Sequence, residues 1–424
     1  MIPNLKQFLE SLRERLWVKP LLFSLLSIGA ALLASALDAT SIGWQVPEIR
    51  RDSIEDLLKI LAASMMGVAT FAVASMVAAY TATDSTATPR AFALVVADDV
   101  SQNALSAFVG AFIYSVVALI ALMNGYYGQA GRFSLFVLTL AVLAFVVLTF
   151  TRWVDRIARL GRLGSVVAKV EHATAAALTR YRSNPARGGV ALSPGWAGGV
   201  PVYAGSVSYV QDVDIAALQL VAEKAQLRIA VTAIPGTFML PGRALALVSS
   251  EGAAFDHAKV AAAFTLGPVR KFDHDPRFGL VALAEIACRA LSPAVNDPGT
   301  AIDIVTTLTR LLSTSVDVSE GKAGEETDIA PGVVHERVSV ALVSQRDMFD
   351  IAFTAIARDG AAMIEVGVLL QHALAALAAD GDPAVRDAAR AHAALALARA
   401  ELALTLPHDL ATVRQAASAG QLRR

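Results

Sequence analysis

The feature that most constrains this chain is the crowding of apolar residues into four stretches before Phe150. They run approximately from Pro20 to Leu37, Ile60 to Tyr80, Leu105 to Met123 and Ser134 to Phe150. A helix needs about 20 apolar residues to cross the hydrocarbon core of a bilayer, and each stretch is near that length. Lipid offers the backbone no hydrogen-bond partners, so such stretches fold as helices. Composition agrees. The chain is 55% hydrophobic and 17% charged, with a mean hydropathy of +0.54, whereas a soluble domain carries about 25% charged residues. Beyond Phe150 the sequence reads as an ordinary Ala-rich globular region, long enough to bury a core of its own.

Ala34-Ser35-Ala36 resembles a signal-peptidase site. The long amphipathic segment before it (Phe8, Leu9, Leu12, Leu16, Trp17) marks an uncleaved first span instead. Lys6, Arg13, Arg15 and Lys19 precede that span, and Arg152, Arg156, Arg159 and Arg162 follow the fourth. Four spans place both clusters on one side, which the positive-inside rule makes cytoplasmic. The expected location is therefore a bacterial inner membrane, multi-pass, with both termini cytoplasmic and membrane lipid as a partner.

The second span is rich in small residues, among them Ala63, Gly67, Ala69, Ala72, Ala74 and Ala78. Small side chains let helix backbones approach closely in lipid. One reading is a packing helix at a subunit contact; the other is a pore-facing helix whose cytoplasmic end is polar. Under the second, Thr81, Asp84, Thr86 and Arg90 are the pore or gate candidates. No span carries a charge in its central part, which argues against a proton relay or voltage sensor.

In the soluble region, residues 153–170 continue the helical spacing of the fourth span, and a Gly/Pro-rich loop follows from Ser183 to Gly199. The spacing predicts strands at Val202–Val213, Leu227–Ala233, Ala244–Val248, Ala261–Leu266 and Val333–Val343. It predicts helices at Ile215–Ala225, from Phe278 onward, and over Asp347–Ala403 with a break at Gly381-Asp382-Pro383. The domain division expected is 1–182 for the membrane region and stalk, and 200–424 for a cytoplasmic α+β domain with a helical C-terminal half.

Charge is balanced, 36 Lys and Arg against 37 Asp and Glu, which gives no basic face for nucleic acid. The single cysteine, Cys288, excludes an intramolecular disulfide and any multi-cysteine metal site. The histidines (172, 257, 274, 335, 372, 392 and 408) have no metal-ligand spacing, and no nucleotide-binding or hydrolase signature is present. These features predict no cofactor, no metal and no enzymatic activity.

One segment is specified residue by residue: Gly267-Pro-Val-Arg270, Asp273-His-Asp275, Phe278-Gly279, then Ala290-Leu-Ser-Pro-Ala-Val-Asn-Asp-Pro-Gly-Thr-Ala301. Pro293 stops one helix. Asp297 and Pro298 start the next as N-cap and first-turn residue. Arg270, Asp273 and Asp275 form a candidate ion-pair cluster that locks strand to helix or makes a polar ligand or partner site. Asn296 and Asp297 complete the polar candidates.

On these motifs the chain resembles the bacterial membrane proteins grouped as domain of unknown function 2254. Further points of resemblance are Thr88-Pro89-Arg90, Ser208-Tyr209-Val210-Gln211 with Asp214, and Gly236-Thr-Phe with Gly242. The resemblance implies a four-span layout and no established activity. The expected fold is an integral membrane protein, a four-helix transmembrane domain followed by an α+β cytoplasmic domain. The expected function is a homo-oligomeric ion channel or conduit, with an ion or small ligand as its cargo or effector. The alternative is an anchored sensor or scaffold.

Overall fold

A computed structural model describes residues 18–36, 47–86, 88–96, 99–157, 162–196, 198–249, 255–313, 335–379 and 382–421. The amphipathic segment 1–17 lies outside the described residues. The chain forms two compact units, Met1–Val166 and Val167–Arg424.

The first unit comprises α1 (Val18–Ala36), α2 (Arg51–Thr86), α3 (Pro89–Val96), α4 (Asp99–Met123) and α5 (Gln129–Ile157). Among the described residues, Arg51–Thr81, Val100–Met123 and Gln129–Ile157 are long and apolar enough to cross a membrane. These helices outrun the apolar stretches because charged turns extend them. The first turns of α2 carry Asp52 and a Lys59–Glu55 ion pair at 2.6 Å. The central helix is α4, which packs on α1, α2 and α5. Where it meets α1, a Cβ added at Gly110 would lie 3.2 Å from Phe23 Cβ and from Ser27 Oγ, so the small residue permits the approach. Between α4 and α5, the Tyr114 hydroxyl meets Thr139 Oγ1 at 2.9 Å. On α5, Leu140, Leu143, Val147 and Leu148 are exposed, the surface expected of a helix solvated by lipid.

Helix α2 has two distinct faces. Leu61, Met65, Ala69 and Ala72 are buried together with Phe108 and Trp153, and Met76 on the same face is also buried. The opposite face carries Ala63, Gly67, Thr70, Ala74, Ala78 and Thr81, all exposed, and a Cβ added at Gly67 would meet no atom within 4 Å. Residues three and four apart share a helix face, so these small residues line one stripe.

The second unit begins within α6 (Leu163–Ser183) and continues through β1 (Gly189–Ala191), β2 (Val200–Tyr203), β3 (Ser208–Val213), α7 (Ile215–Lys224), β4 (Arg228–Val231), β5 (Phe238–Met239), β6 (Ala244–Ser249), α8 (His257–Ala262) and β7 (Phe264–Gly267). It ends in α9 (Pro276–Ala290), α10 (Pro298–Leu312), β8 (His335–Val340), α11 (Gln345–Asp359), α12 (Ile364–Ala378), α13 (Pro383–Ala403) and α14 (Pro407–Gln421). One sheet has the order β1-β8-β4-β6-β2. In it β1 and β4 run parallel to β8, while β6 is antiparallel to β4 and β2. A second, antiparallel sheet has the order β5-β3-β7. The unit is an α+β domain.

Several sequence expectations are corrected. The predicted strand Val202–Val213 is two strands in different sheets, interrupted at Ala204–Val207, where Gly205 and Ser206 favour a turn over a ladder. The start of the predicted Ala261–Leu266 strand belongs to α8, which Asp256 caps by accepting from Ala258 and Lys259 N–H groups. The Ser183–Gly199 loop contains β1, held against β8. The fourth span does not run unbroken into the stalk. Residues 158–161 lie outside the described residues; Arg162 is not helical, and Gly164 just beyond it weakens the helix there. The terminal helical run has a further break at Gly360, the C-cap of α11.

Helix α9 is apolar nearly all round, and Phe278, Leu280, Ala282, Leu283, Ile286 and Ala287 are buried, packed against α10 and α11. A Cβ added at Gly279 would collide with the side chain of Thr174 on α6, itself buried. Overpacking of this kind costs about 1–3 kcal/mol. Gly279→Ala is therefore expected to destabilise the protein by that amount in chemical unfolding, with Thr174→Ala restoring part of the loss.

Candidate functional site

The membrane candidates lie at the end of α2 and the start of α3. The Thr81 hydroxyl donates to Val77 O at 3.0 Å. Asp84 and Thr86 fall in the last turn of α2, and their side chains lie outside the described residues. Thr88 is buried, and its Oγ1 accepts from the Arg90 N–H at 3.4 Å. Pro89 opens α3 with Arg90 exposed beside it.

The polar cluster of the second unit is built around Asp275. This carboxylate is 2% exposed and caps α9 by accepting from the Arg277 N–H, with Pro276 at the first helical position. Arg270 Nη2 and Nε approach Oδ2 at 2.5 and 2.7 Å. Arg277 Nε lies 3.4 Å from Oδ1, and its Nη2 donates to Pro235 O at 2.7 Å. Arg270 also sits 5.1 Å over the Phe278 ring. The Pro235-Gly236 turn closes through Thr237 N–H to Ile234 O at 3.0 Å. Gly236 has φ +86°, and a Cβ there would collide with the Asp275 carboxylate. Glycine is needed twice over. Asp273, expected in this cluster, makes no ion pair with Arg270 and lines the cleft described below; Arg277, not among the expected residues, takes its place.

Removing one partner of a buried ion pair costs about 3–5 kcal/mol, because the remaining charge stays buried without a partner. Asp275→Ala should cost that much in thermal or denaturant unfolding. Asp275→Asn keeps a capping oxygen but leaves both guanidiniums without a counter-charge, and should recover little of the loss.

The turn from α9 to α10 accounts for the Asn-Asp-Pro run. Asn296 has φ +50°, a left-handed conformation that asparagine tolerates better than most side chains. Asp297 caps α10, accepting from the Thr300 N–H at 3.0 Å and from its hydroxyl at 2.6 Å, and Pro298 follows at the first position. Those two Thr300 donors, hydroxyl first, hold the Asp297 carboxyl below its ordinary pKa. Asp297→Ala should cost about 0.5–2 kcal/mol, and Asp297→Ser much less. A lowered folded-state pKa means the unfolded chain binds the proton more tightly. The contribution is therefore present above the ordinary carboxylate pKa and lost as pH falls through the folded value. Unfolding curves of wild type and Asp297→Ala should converge in acid.

Nearby lies a cavity of about 70 Å³. It collects the C-terminal ends of β3, β4 and β8 (Val213, Val231, Val340), the last turn of α6 (Arg180, Tyr181), the α6–β1 loop bearing Arg187 and the β7–α9 loop bearing Asp273 and His274. The crevice beyond the carboxyl ends of parallel strands is a recurrent ligand position. The Tyr181 hydroxyl donates to Val343 O at 3.1 Å and accepts from its N–H at 2.9 Å; burial raises its pKa, so it stays neutral.

Arg187 has φ +54°, a conformation that costs a non-glycine residue on the order of 1–3 kcal/mol. It is held by a tight turn in which Arg187 N–H donates to Asn184 O at 3.1 Å and Gly188 N–H donates to Asn184 Oδ1 at 2.8 Å. Its Nη2 pairs with Asp212 Oδ1 at 2.5 Å, while its Nη1 is buried with no hydrogen-bond partner among the described residues. His274 Nε2 lies 3.9 Å from the same Asp212 oxygen. Burial holds the His274 imidazole below its ordinary pKa; Asp212 opposes this, and Arg187 and Arg180 reinforce it. Sequence reasoning did not single out Arg180 and Arg187. The only local signal was the Asn-Pro-Ala-Arg-Gly-Gly turn composition.

Cys288 offers no nucleophile. Burial pushes its thiol pKa up to about 12, and the neighbouring Asp359 adds to the shift.

The long apolar helices and the mixed sheets define a multi-pass membrane protein with an α+β domain. The chain belongs to the family described as Predicted membrane protein (DUF2254), whose model matches residues 13–376. It is similar to uncharacterized proteins of Mycobacterium tuberculosis and Mycobacterium bovis, each 44% identical over 66 residues. That stretch is 14% of this chain and 13% of the length of those curated relatives. No solved structure matches the chain.

Proposed function

We propose that this protein is a homo-oligomeric, four-span inner-membrane conduit for ions, with both termini cytoplasmic and the α+β domain acting as its regulatory part. We assign it no enzymatic role. The observation that carries the reading is the second face of α2, where Ala63, Gly67, Thr70, Ala74 and Ala78 are exposed opposite the face packed within the chain. Small residues four apart suit helix–helix contact in lipid, and another copy of α2 would supply it. Around a symmetry axis, the polar end from Thr81 to Arg90 would then repeat as a ring, and repeated Asp84 carboxylates favour cations. α1 completes the four spans, and Arg152 and Arg156 at the end of α5 favour the cytoplasmic side.

One observation favours an anchored sensor or scaffold instead. The Thr70 and Thr81 hydroxyls donate to carbonyls of their own helix, Met66 O at 2.9 Å and Val77 O at 3.0 Å, so this face needs no water.

The test uses the full chain in a Cys288→Ala background. Cysteines at Gly67 or Ala74 should cross-link copies in membranes, while cysteines at Leu61 or Ala72 should not. In planar bilayers the protein should pass unitary currents whose cation preference falls in Asp84→Asn. Cross-linking with electrical silence selects the sensor reading, and absence of both rejects the oligomer.

A further inference from the structure

We propose that the cleft between the α6 end and the β4 and β8 ends is a binding site for a small oxyanion, a carboxylate or phosphate carried on a small apolar body. Three cationic or protonatable side chains from separate parts of the chain, Arg180, Arg187 and His274, converge on it. Asp212 occupies only one terminal nitrogen of Arg187. The other, Nη1, is buried without an acceptor among the described residues, and a buried donor of this kind needs one. Arg180 is exposed at the rim, and its side chain makes no hydrogen bond or ion pair among the described residues. Two guanidiniums with donors to spare suit an oxyanion, which accepts charge-assisted bonds from both. Val213, Val231 and Val343 line the same cavity and fit a short apolar body.

The backbone is a second, independent observation. A non-glycine residue with φ +54° is held at a position that lines this cavity. Backbone strain of this kind gathers at ligand clamps. Glycine or asparagine would relieve it, so fold stability alone does not explain an arginine here. The Asp212 pair does not account for the strain either, since Asp212 is 39% exposed and exposed pairs contribute little.

The inference stands apart from the conduit reading, because it is tested by equilibrium binding whether or not the protein conducts. Full-length protein in detergent is titrated calorimetrically with inorganic phosphate, acetate and isobutyrate, at constant sodium chloride. At least one of the three should bind and should raise the unfolding temperature in proportion to its occupancy. A preference for phosphate or for isobutyrate identifies which oxyanion class the cleft takes. Arg180→Gln should weaken binding about tenfold or more, the factor expected for loss of one charge-assisted contact. Arg187→Asn is the decisive variant. Asparagine tolerates the left-handed backbone, so the ligand-free protein should unfold no more easily than wild type while its oxyanion binding is lost. The proposal is overturned if none of the three anions binds wild type, or if binding survives both substitutions unchanged.

Discussion

A carboxylate that is 2% exposed must be paid for, and the arrangement around Asp275 shows how. Moving an ion out of water costs several kcal/mol unless partners replace its hydration. Here two guanidiniums and a helix N-terminus replace it, through Arg270, Arg277 and the first turn of α9. The partners are themselves constrained: Arg270 lies over Phe278, Arg277 reaches Pro235 O, and Gly236 leaves room for the carboxylate. One buried charge thus ties the β7–α9 connection, the Pro235-Gly236 turn and α9 into one frame. The cleft depends on that frame. Asp273 and His274 immediately precede Asp275, and Pro235 and Pro276 line the cavity, so the rigidity of the ion-pair cluster sets where its walls stand.

The membrane unit solves the same problem by avoiding it. Its helices satisfy their own backbone, and polar side chains turn back onto carbonyls one turn away, as Ser106, Ser115 and Thr139 do at 2.7 Å. That leaves shape as the main source of specificity between helices. Gly110 shows it within the chain, where α1 approaches α4. The exposed small face of α2 offers the same geometry without a partner among the described residues, which is why it supports an intermolecular role.

How far the structure was legible in the sequence follows from these two kinds of constraint. The apolar stretches were readable because lipid demands a long uninterrupted run, but their ends were not, since a helix continues into water wherever charged residues can solvate it. The α10 cap was readable because Asp297 and Pro298 are adjacent and each has a local reason to be there. The partition of residues 202–213 between two sheets was not, because both halves alternate suitably and the distant β6, β5 and β7 decide their pairing. In the candidate site, Asp275 and Arg270 stood out by proximity. Arg277 did not, because its partner Pro235 lies 42 residues away in sequence.

The difference between the motif residues and the cleft residues has a physical origin. Gly236, Gly279, Asn296, Asp297 and Asp275 each answer a demand that few side chains meet: a positive φ, a missing Cβ, a helix cap or a buried counter-charge. Demands of that kind leave a recognisable pattern at adjacent positions. Arg180 and Arg187 answer a different demand, charge delivered to a point in space, which many backbone placements satisfy and which therefore marks no pattern in the chain. Fold-determining positions and ligand-facing positions are thus different residues here. The most patterned segment of the sequence builds the frame, and chemistry toward a ligand falls to side chains set on the α6 end and the loops around it.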